Sequence, residues 1–164
     1  MGWSGLKFED GRERVHVEII AKRPGNAWAP MWVSKRWEAL GAAGIVVQGR
    51  GAPATDLIEA LEDLRIPVTP AIGSHVTGSA VKFFDAVRDK LVVHGGQPPL
   101  DMAATTAEVR YSGDGIFMWD RRRSPVDVAP LVAVSFGWYF LTQTVEDETV
   151  SSVYDERDEG LVVI

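Results

Sequence analysis

The stretch Gly44-Ile45-Val46-Val47-Gln48-Gly49 constrains the fold more than any other. A short apolar run closed by glycine on both sides is the pattern of a strand buried inside a sheet. Behind it, residues 55–64 carry Leu57, Ile58, Leu61 and Leu64 at helical spacing, with Pro53 just upstream and Thr55 placed to cap. The rest of the chain alternates in the same way. Residues 6–8 and 15–20 read as a hairpin around Glu9-Asp10-Gly11, with Val15, Val17 and Ile19 on one face and His16, Glu18 and Ile20 on the other. Residues 30–43 read as a helix and 66–68 as a short strand. Residues 77–90 read as a helix with Val81, Phe84, Val87 and Leu91 inward, and 99–107 as a shorter one. Residues 108–111 and 116–119 form a second hairpin around Ser112-Gly113-Asp114-Gly115. Residues 126–141 are an apolar helix with Pro130 near its start. This order predicts a single α/β domain, a mixed central sheet with helices on its faces.

At 164 residues with 46% hydrophobic and 24% charged residues, the chain matches one globular domain. The body is expected over residues 1–144. Residues 145–164 hold Glu146, Asp147, Glu148, Asp155, Glu156, Asp158 and Glu159 and read as an acidic, mobile tail. The absence of cysteine excludes a disulfide framework and thiolate metal ligands, and it fits a reducing cytoplasm. The first residues lack the apolar core of a signal peptide, and no run approaches the ~18 apolar residues of a membrane span. The net charge of −6 matters for nucleic acid. A protein that grips duplex DNA through its phosphates is usually basic, so any such contact here must come from a local patch. The one dense basic run is Arg121-Arg122-Arg123, and Arg110 flanks it on the second hairpin.

Several stretches, in order, resemble the C-terminal nuclease domain of tailed-phage large terminases. They are His16-Val17-Glu18-Ile19-Ile20 with Arg23-Pro24-Gly25, the 51–64 stretch with its Ala-Pro-Ala, and Phe83-Phe84-Asp85-Ala86-Val87. They continue with His94, Leu100-Asp101-Met102-Ala103, Trp119-Asp120-Arg121-Arg122 and Ser124-Pro125-Val126-Asp127-Val128-Ala129-Pro130. Ser152-Val153-Tyr154 and Gly160-Leu161-Val162-Val163 complete the likeness, which covers nearly the whole chain. The resemblance implies an RNase H-like fold and metal-dependent endonucleolytic cutting of concatemeric DNA during viral genome packaging. It implies Mg²⁺ or Mn²⁺ held in a two-metal site by clustered carboxylates. It also implies double-stranded phage DNA, a terminase ATPase domain or small subunit and the portal as partners, in the host cytoplasm.

Against that pattern, the strand expected ahead of the first hairpin, with its Asp, is not in the sequence. Gln48 stands where the second carboxylate belongs, and Asp127 alone keeps its place. Glu18 is a candidate substitute ligand, with His16 beside it; His94 is a candidate accessory group. Arg110, Arg121, Arg122 and Arg123 are the candidate DNA-binding residues. No Walker A loop is present, so the chain is not itself the packaging ATPase. One clear carboxylate against two divalent metals predicts little or no cutting by the chain alone. The other reading of the same residues is a non-catalytic terminase-derived accessory module that binds DNA or a packaging partner. The missing strand further predicts an open sheet edge beside residues 6–8 or 15–20, a route to self-association or strand donation. Plainer roles are also available. Asp127 can cap the last helix, Asp10 can belong to a turn, and His94 and Asp101 can be local structural groups. Trp119 and Trp138 are expected in the core, whereas Trp3, Trp28, Trp32 and Trp37 are expected to form an interaction surface.

Overall fold

β1 (Gly2–Glu9) and β2 (Arg12–Ile19) pair antiparallel in unbroken register, from Gly2 opposite Ile19 to Glu9 opposite Arg12. The period-2 pattern of β2 decides its orientation: Val15 and Val17 are buried, and His16 and Glu18 turn to the other face. The structure, a computed structural model, describes residues 1–9, 12–149 and 160–163. Asp10 and its turn lie outside them.

β3 (Ala42–Gln48) pairs in parallel with β4 (Val68–Ala71), Ile45 opposite Val68 and Gln48 opposite Ala71. Pro70 lies on β4, an edge strand, where a missing N–H breaks no ladder. β5 (Val92–Val93) pairs in parallel with Val15 and His16 of β2. The Gln97 side chain extends this pairing by imitating a peptide group: Ile19 N donates to its Oε1 at 2.6 Å, and its Nε2 donates to Ile19 O at 3.2 Å. A hairpin of β6 (Val109–Tyr111) and β7 (Phe117–Trp119) forms a separate two-stranded sheet. β8 (Gly160–Val163) enters the main sheet between β3 and β1, parallel to the first and antiparallel to the second. The six-stranded order is β4-β3-β8-β1-β2-β5, and β1 alone runs against the other strands.

Helices cover both faces. α1 (Ala29–Ser34), α2 (Trp37–Leu40) and α3 (Leu57–Glu62) lie on one side, where Ile45 and Val47 pack with Val33, Leu57 and Leu61. α4 (Ser74–Arg88), α5 (Pro98–Thr106) and α6 (Ala129–Thr149) lie on the other, with Val15, Val17 and Val46. α6 is apolar all round because it is buried all round: every residue from 130 to 137 is inside, between the sheet and the outer helices. Small residues on β1 let it come close. A Cβ on Gly2 would stand 3.3 Å from Ala133 Cβ, and Ser4 is fully buried. The result is one compact α/β domain.

Several expectations change. The helix expected over 30–43 is two short helices, and Gly41 ends the second in the left-handed region at φ 55°, so β3 begins at Ala42. Trp28, Trp32 and Trp37 pack against the cluster under α1 and α3 instead of forming an exposed surface; the Trp3 side chain lies outside the described residues. Trp119 and Trp138 pack against the core as expected. α4 is turned from the face its large residues suggest: Ser79, Ala80, Phe83 and Ala86 point inward, while Phe84 and Val87 are 52% and 51% exposed. The large rings of α6 explain this. A Cβ on Gly78 would stand 3.4 Å from the Tyr139 ring, and Phe83 meets Trp138 edge-on, so α4 needs small residues where the two helices meet. Leu64 falls beyond the end of α3 and is exposed. Of the expected acidic tail, residues up to Thr149 continue α6 and Gly160–Val163 forms β8. On the sides away from the hairpin, β1 pairs with β8 at Gly2–Ser4 and β2 pairs with β5 at Val15 and His16, and no described strand pair reaches residues 6–8 from β8.

Trp119 Nε1 donates to Ser135 Oγ at 3.0 Å, joining the second hairpin to α6. Trp119→Phe is expected to lower stability by about 1 kcal/mol, the net value of one hydrogen bond. A urea midpoint identical to the parent's would show that this bond contributes nothing.

Candidate nucleic-acid interface

Gln48 closes β3, and its neighbours fix its side chain. Thr55 Oγ1 donates to Gln48 O at 2.9 Å, fastening the 3₁₀ turn Pro53–Asp56 to the strand end in place of the expected helix cap. Gln48 Nε2 donates to Arg50 O at 3.0 Å, and its Oε1 accepts from Arg121 Nη2 at 3.1 Å. The amide is thus already engaged by a guanidinium.

Arg121 is held there by a tight turn that Asp120 organises. The Asp120 carboxylate, 9% exposed with the rest of its residue, accepts from Arg122 N at 3.0 Å and Arg123 N at 3.2 Å. Ser124 Oγ donates to Asp120 O at 2.6 Å and accepts from Glu108 N at 3.0 Å. An Asp binding backbone N–H groups two and three residues onward is a standard way to close a turn. Here it presents three successive arginines.

Asp127 precedes α6, and its Oδ1 accepts from Ala129 N at 3.0 Å, a helix-start role. Its Oδ2 pairs with Lys22 Nζ at 3.2 Å. Burial pushes the Asp127 pKa up, but the Ala129 N–H, the Lys22 ammonium and the Arg121 guanidinium outweigh it and hold the carboxyl below its ordinary 3.8. Burial lowers the Arg121 pKa while Asp127 works to raise it; an arginine remains a cation at neutral pH regardless. Arg121 therefore joins the two expected site positions, bonded to Gln48 and lying in the field of Asp127. The Met1 amino group donates nearby to Ala21 O at 2.9 Å.

These residues do not fit a pair of divalent metals. Among the described residues no three His, Asp or Glu side chains are grouped to hold one. Gln48 and Asp127 each face a protein cation, so the positive charge a metal would bring is already supplied by Arg121 and Lys22. Glu18 and His16 lie mid-strand on β2, opposite Trp3 and Gly5 of β1, and no described contact brings Glu18 to Asp127. His94 is a local group, its Nδ1 accepting from Gly96 N at 3.2 Å and lying 3.7 Å from Asp101.

Two shallow concavities meet at Arg121. One, of about 250 Å³, is bordered by Arg110, Arg121, Arg122 and Gln48 over α4 and α6. The other, of about 280 Å³, is bordered by Lys22, Arg23, Arg121 and Asp127. Arg110 rests on Met118 Sδ at 3.0 Å, whereas Arg123 is turned toward Asp120 at 3.8 Å and borders neither. Sequence reading missed Lys22, Arg23 and Asp120. The first two follow a strand like any solvated pair, and Asp120 next to a basic run reads as charge balance.

Asp127→Ala is expected to cost about 1 kcal/mol near neutral pH through loss of the helix-start bond. A carboxyl whose folded pKa is depressed stabilises above its unfolded pKa and loses that contribution as pH falls through the folded one. The gap in melting temperature between parent and variant should therefore narrow in acid. A gap constant from neutral pH to well below 3.8 would mean that neither the Ala129 bond nor the Lys22 and Arg121 charges favour the ionised carboxylate over the protonated one.

No helix among the described residues is long and apolar enough to cross a membrane. Comparison with known proteins finds no matching family model, no matching protein and no matching solved structure.

Proposed function

We propose that this chain is a terminase-nuclease-type module with an RNase H-like fold that grips the phosphate backbone of double-stranded DNA without cutting it. The observation that carries the reading is the Arg121 guanidinium on Gln48 beside the Lys22–Asp127 pair. Cations stand where a nuclease of this type would gather carboxylates around metal. The strand pattern supports the fold assignment: a mixed sheet with a single reversed strand, the first of a hairpin, and helices on both faces. β8 lies between β1 and β3, and its four residues, Gly-Leu-Val-Val, bring no carboxylate to the centre of the sheet.

Arg110, Arg122, Arg121, Lys22 and Arg23 border two adjoining concavities, a local basic track on a chain of net charge −6. Guanidinium groups suit phosphate because their forked donors match its oxygens. Such contacts position a duplex without reading its sequence.

The test uses covalently closed plasmid and a labelled duplex. The protein should bind both with an affinity that falls steeply as salt rises, and should leave the plasmid unnicked in Mg²⁺ or Mn²⁺. Metal-dependent nicking that Asp127→Ala abolishes would restore the nuclease reading. Failure to bind duplex at low salt would remove the DNA-binding one.

A further inference from the structure

The concavity of about 280 Å³ between the end of β2 and the start of α6 has features that a backbone track does not need. Its size approaches the lower end of small-ligand pockets, roughly 300 Å³. Its walls include Ile19, Pro53, Ala54, Pro130, Val132 and Ala133, an apolar set. Asn26 Nδ2 donates to Pro53 O at 2.7 Å and ties the two sides of the wall together. Trp28 forms another side. Its Nε1 donates to Gly25 O at 2.8 Å, which fixes the indole, and the Arg23 guanidinium lies 5.1 Å from the ring centre.

The charge at the mouth is unbalanced. Lys22, Arg23 and Arg121 border the pocket, and Asp127 is the one acid among its lining residues. Asp127 brings one negative charge, paired with Lys22 and also felt by Arg121, against the three cations. Arg121 gives one described hydrogen bond, to Gln48, and a guanidinium has five N–H donors. Cations left in excess at the mouth of an apolar cleft call for an anion, and an excess of this size favours a dianion over a simple carboxylate. The fixed indole and the apolar wall call for a flat apolar body attached to it.

We propose that this pocket binds a nucleoside monophosphate, with the phosphate at Lys22 and Arg121 and the base against Trp28 and the apolar wall. A phosphate monoester carries about −1.5 to −2 at neutral pH. Arg121 also borders the neighbouring concavity with Arg110 and Arg122, so the phosphate of the seated nucleotide stands at the head of a row of arginines. The same chemistry can arrive as a free nucleotide or as the 5′-phosphorylated end of a DNA strand.

The experiment is calorimetric titration of the full chain with inorganic phosphate, adenosine and 5′-dAMP, followed in parallel by indole N–H resonances of ¹⁵N-labelled protein. The nucleotide should bind at least about tenfold more tightly than either half alone and should move the Trp28 resonance, assigned as the one absent in Trp28→Phe. Lys22→Ala should weaken nucleotide binding by about tenfold or more. Arg121→Ala, the other phosphate position, serves the same comparison if Lys22→Ala does not fold. A DNA hairpin with a 5′-phosphate that binds more tightly than its 5′-hydroxyl form identifies the strand end as the source; equal binding identifies the free nucleotide. The proposal is overturned if dAMP binds no better than phosphate, or if folded charge-removal variants bind it as the parent does. A closed DNA dumbbell, which has no end, separates this result from the duplex reading: dumbbell binding without dAMP binding keeps only the latter, and the reverse keeps only the pocket.

Discussion

Val162→Pro is expected to lose on the order of 3 kcal/mol or more of folding stability, enough to unfold a marginally stable domain. Val162 pairs with Trp3 of β1 and with Ile45 of β3, so the substitution strikes the ladder between the antiparallel hairpin and the parallel β3–β4 pair. Proline cannot donate to a ladder, and an internal strand has partners on both sides. The chain contains its own control: Pro70 is accommodated on β4 because β4 is an edge. Urea unfolding followed by circular dichroism measures the difference. Stability within a few tenths of the parent would show that β8 is not an internal strand. The consequence extends to the interface, since β3 runs directly to Gln48 and loses its β1-side neighbour without β8.

The second large effect concerns DNA. Reversing charge with Arg121→Glu and Arg122→Glu together should weaken duplex binding by roughly 100-fold, taking about 1.5 kcal/mol for each charge-assisted hydrogen bond to phosphate. The slope of log affinity against log salt should flatten as well, by about one for each phosphate that is no longer neutralised. Both side chains are exposed on the Asp120 turn, whose closure uses backbone N–H groups, so the fold should survive. Arg123→Glu is the internal comparison, because Arg123 leans toward Asp120 and borders neither concavity. Equal weakening from reversing Arg123 and from reversing Arg121 would mean that binding reflects general charge and not the track.

Both variants probe features that differ in how far the sequence reveals them. Local patterns were legible. The alternation of Val15, Val17 and Ile19 gave β2 and its buried face, the glycine-bounded Ile45-Val46-Val47 gave β3, and Ser112-Gly113-Asp114-Gly115 gave the turn of the second hairpin. The apolar run after Pro130 gave α6. In each case the information lies within one turn or one pleat of the residue concerned. The face of α4 was misread because size and apolarity point to Val81, Phe84 and Val87. Close packing against Trp138 and Tyr139 instead selects Ser79, Ala80, Phe83 and Ala86.

What the sequence by itself determined is the class of the domain and the residues that mark its unusual site: a neutral Gln48 at the end of a buried strand, a lone Asp127 at a helix start, and an arginine run between hairpin and helix. What only the tertiary structure decided is which charges meet. Lys22 reaches Asp127, Arg121 reaches Gln48 across 73 positions of sequence, and β8 inserts between strands from the other end of the chain. No local periodicity encodes such pairings. They arise when the sheet brings the ends of β2 and β3 and the start of α6 together, so that cations meet an amide and a carboxylate at the surface of the domain.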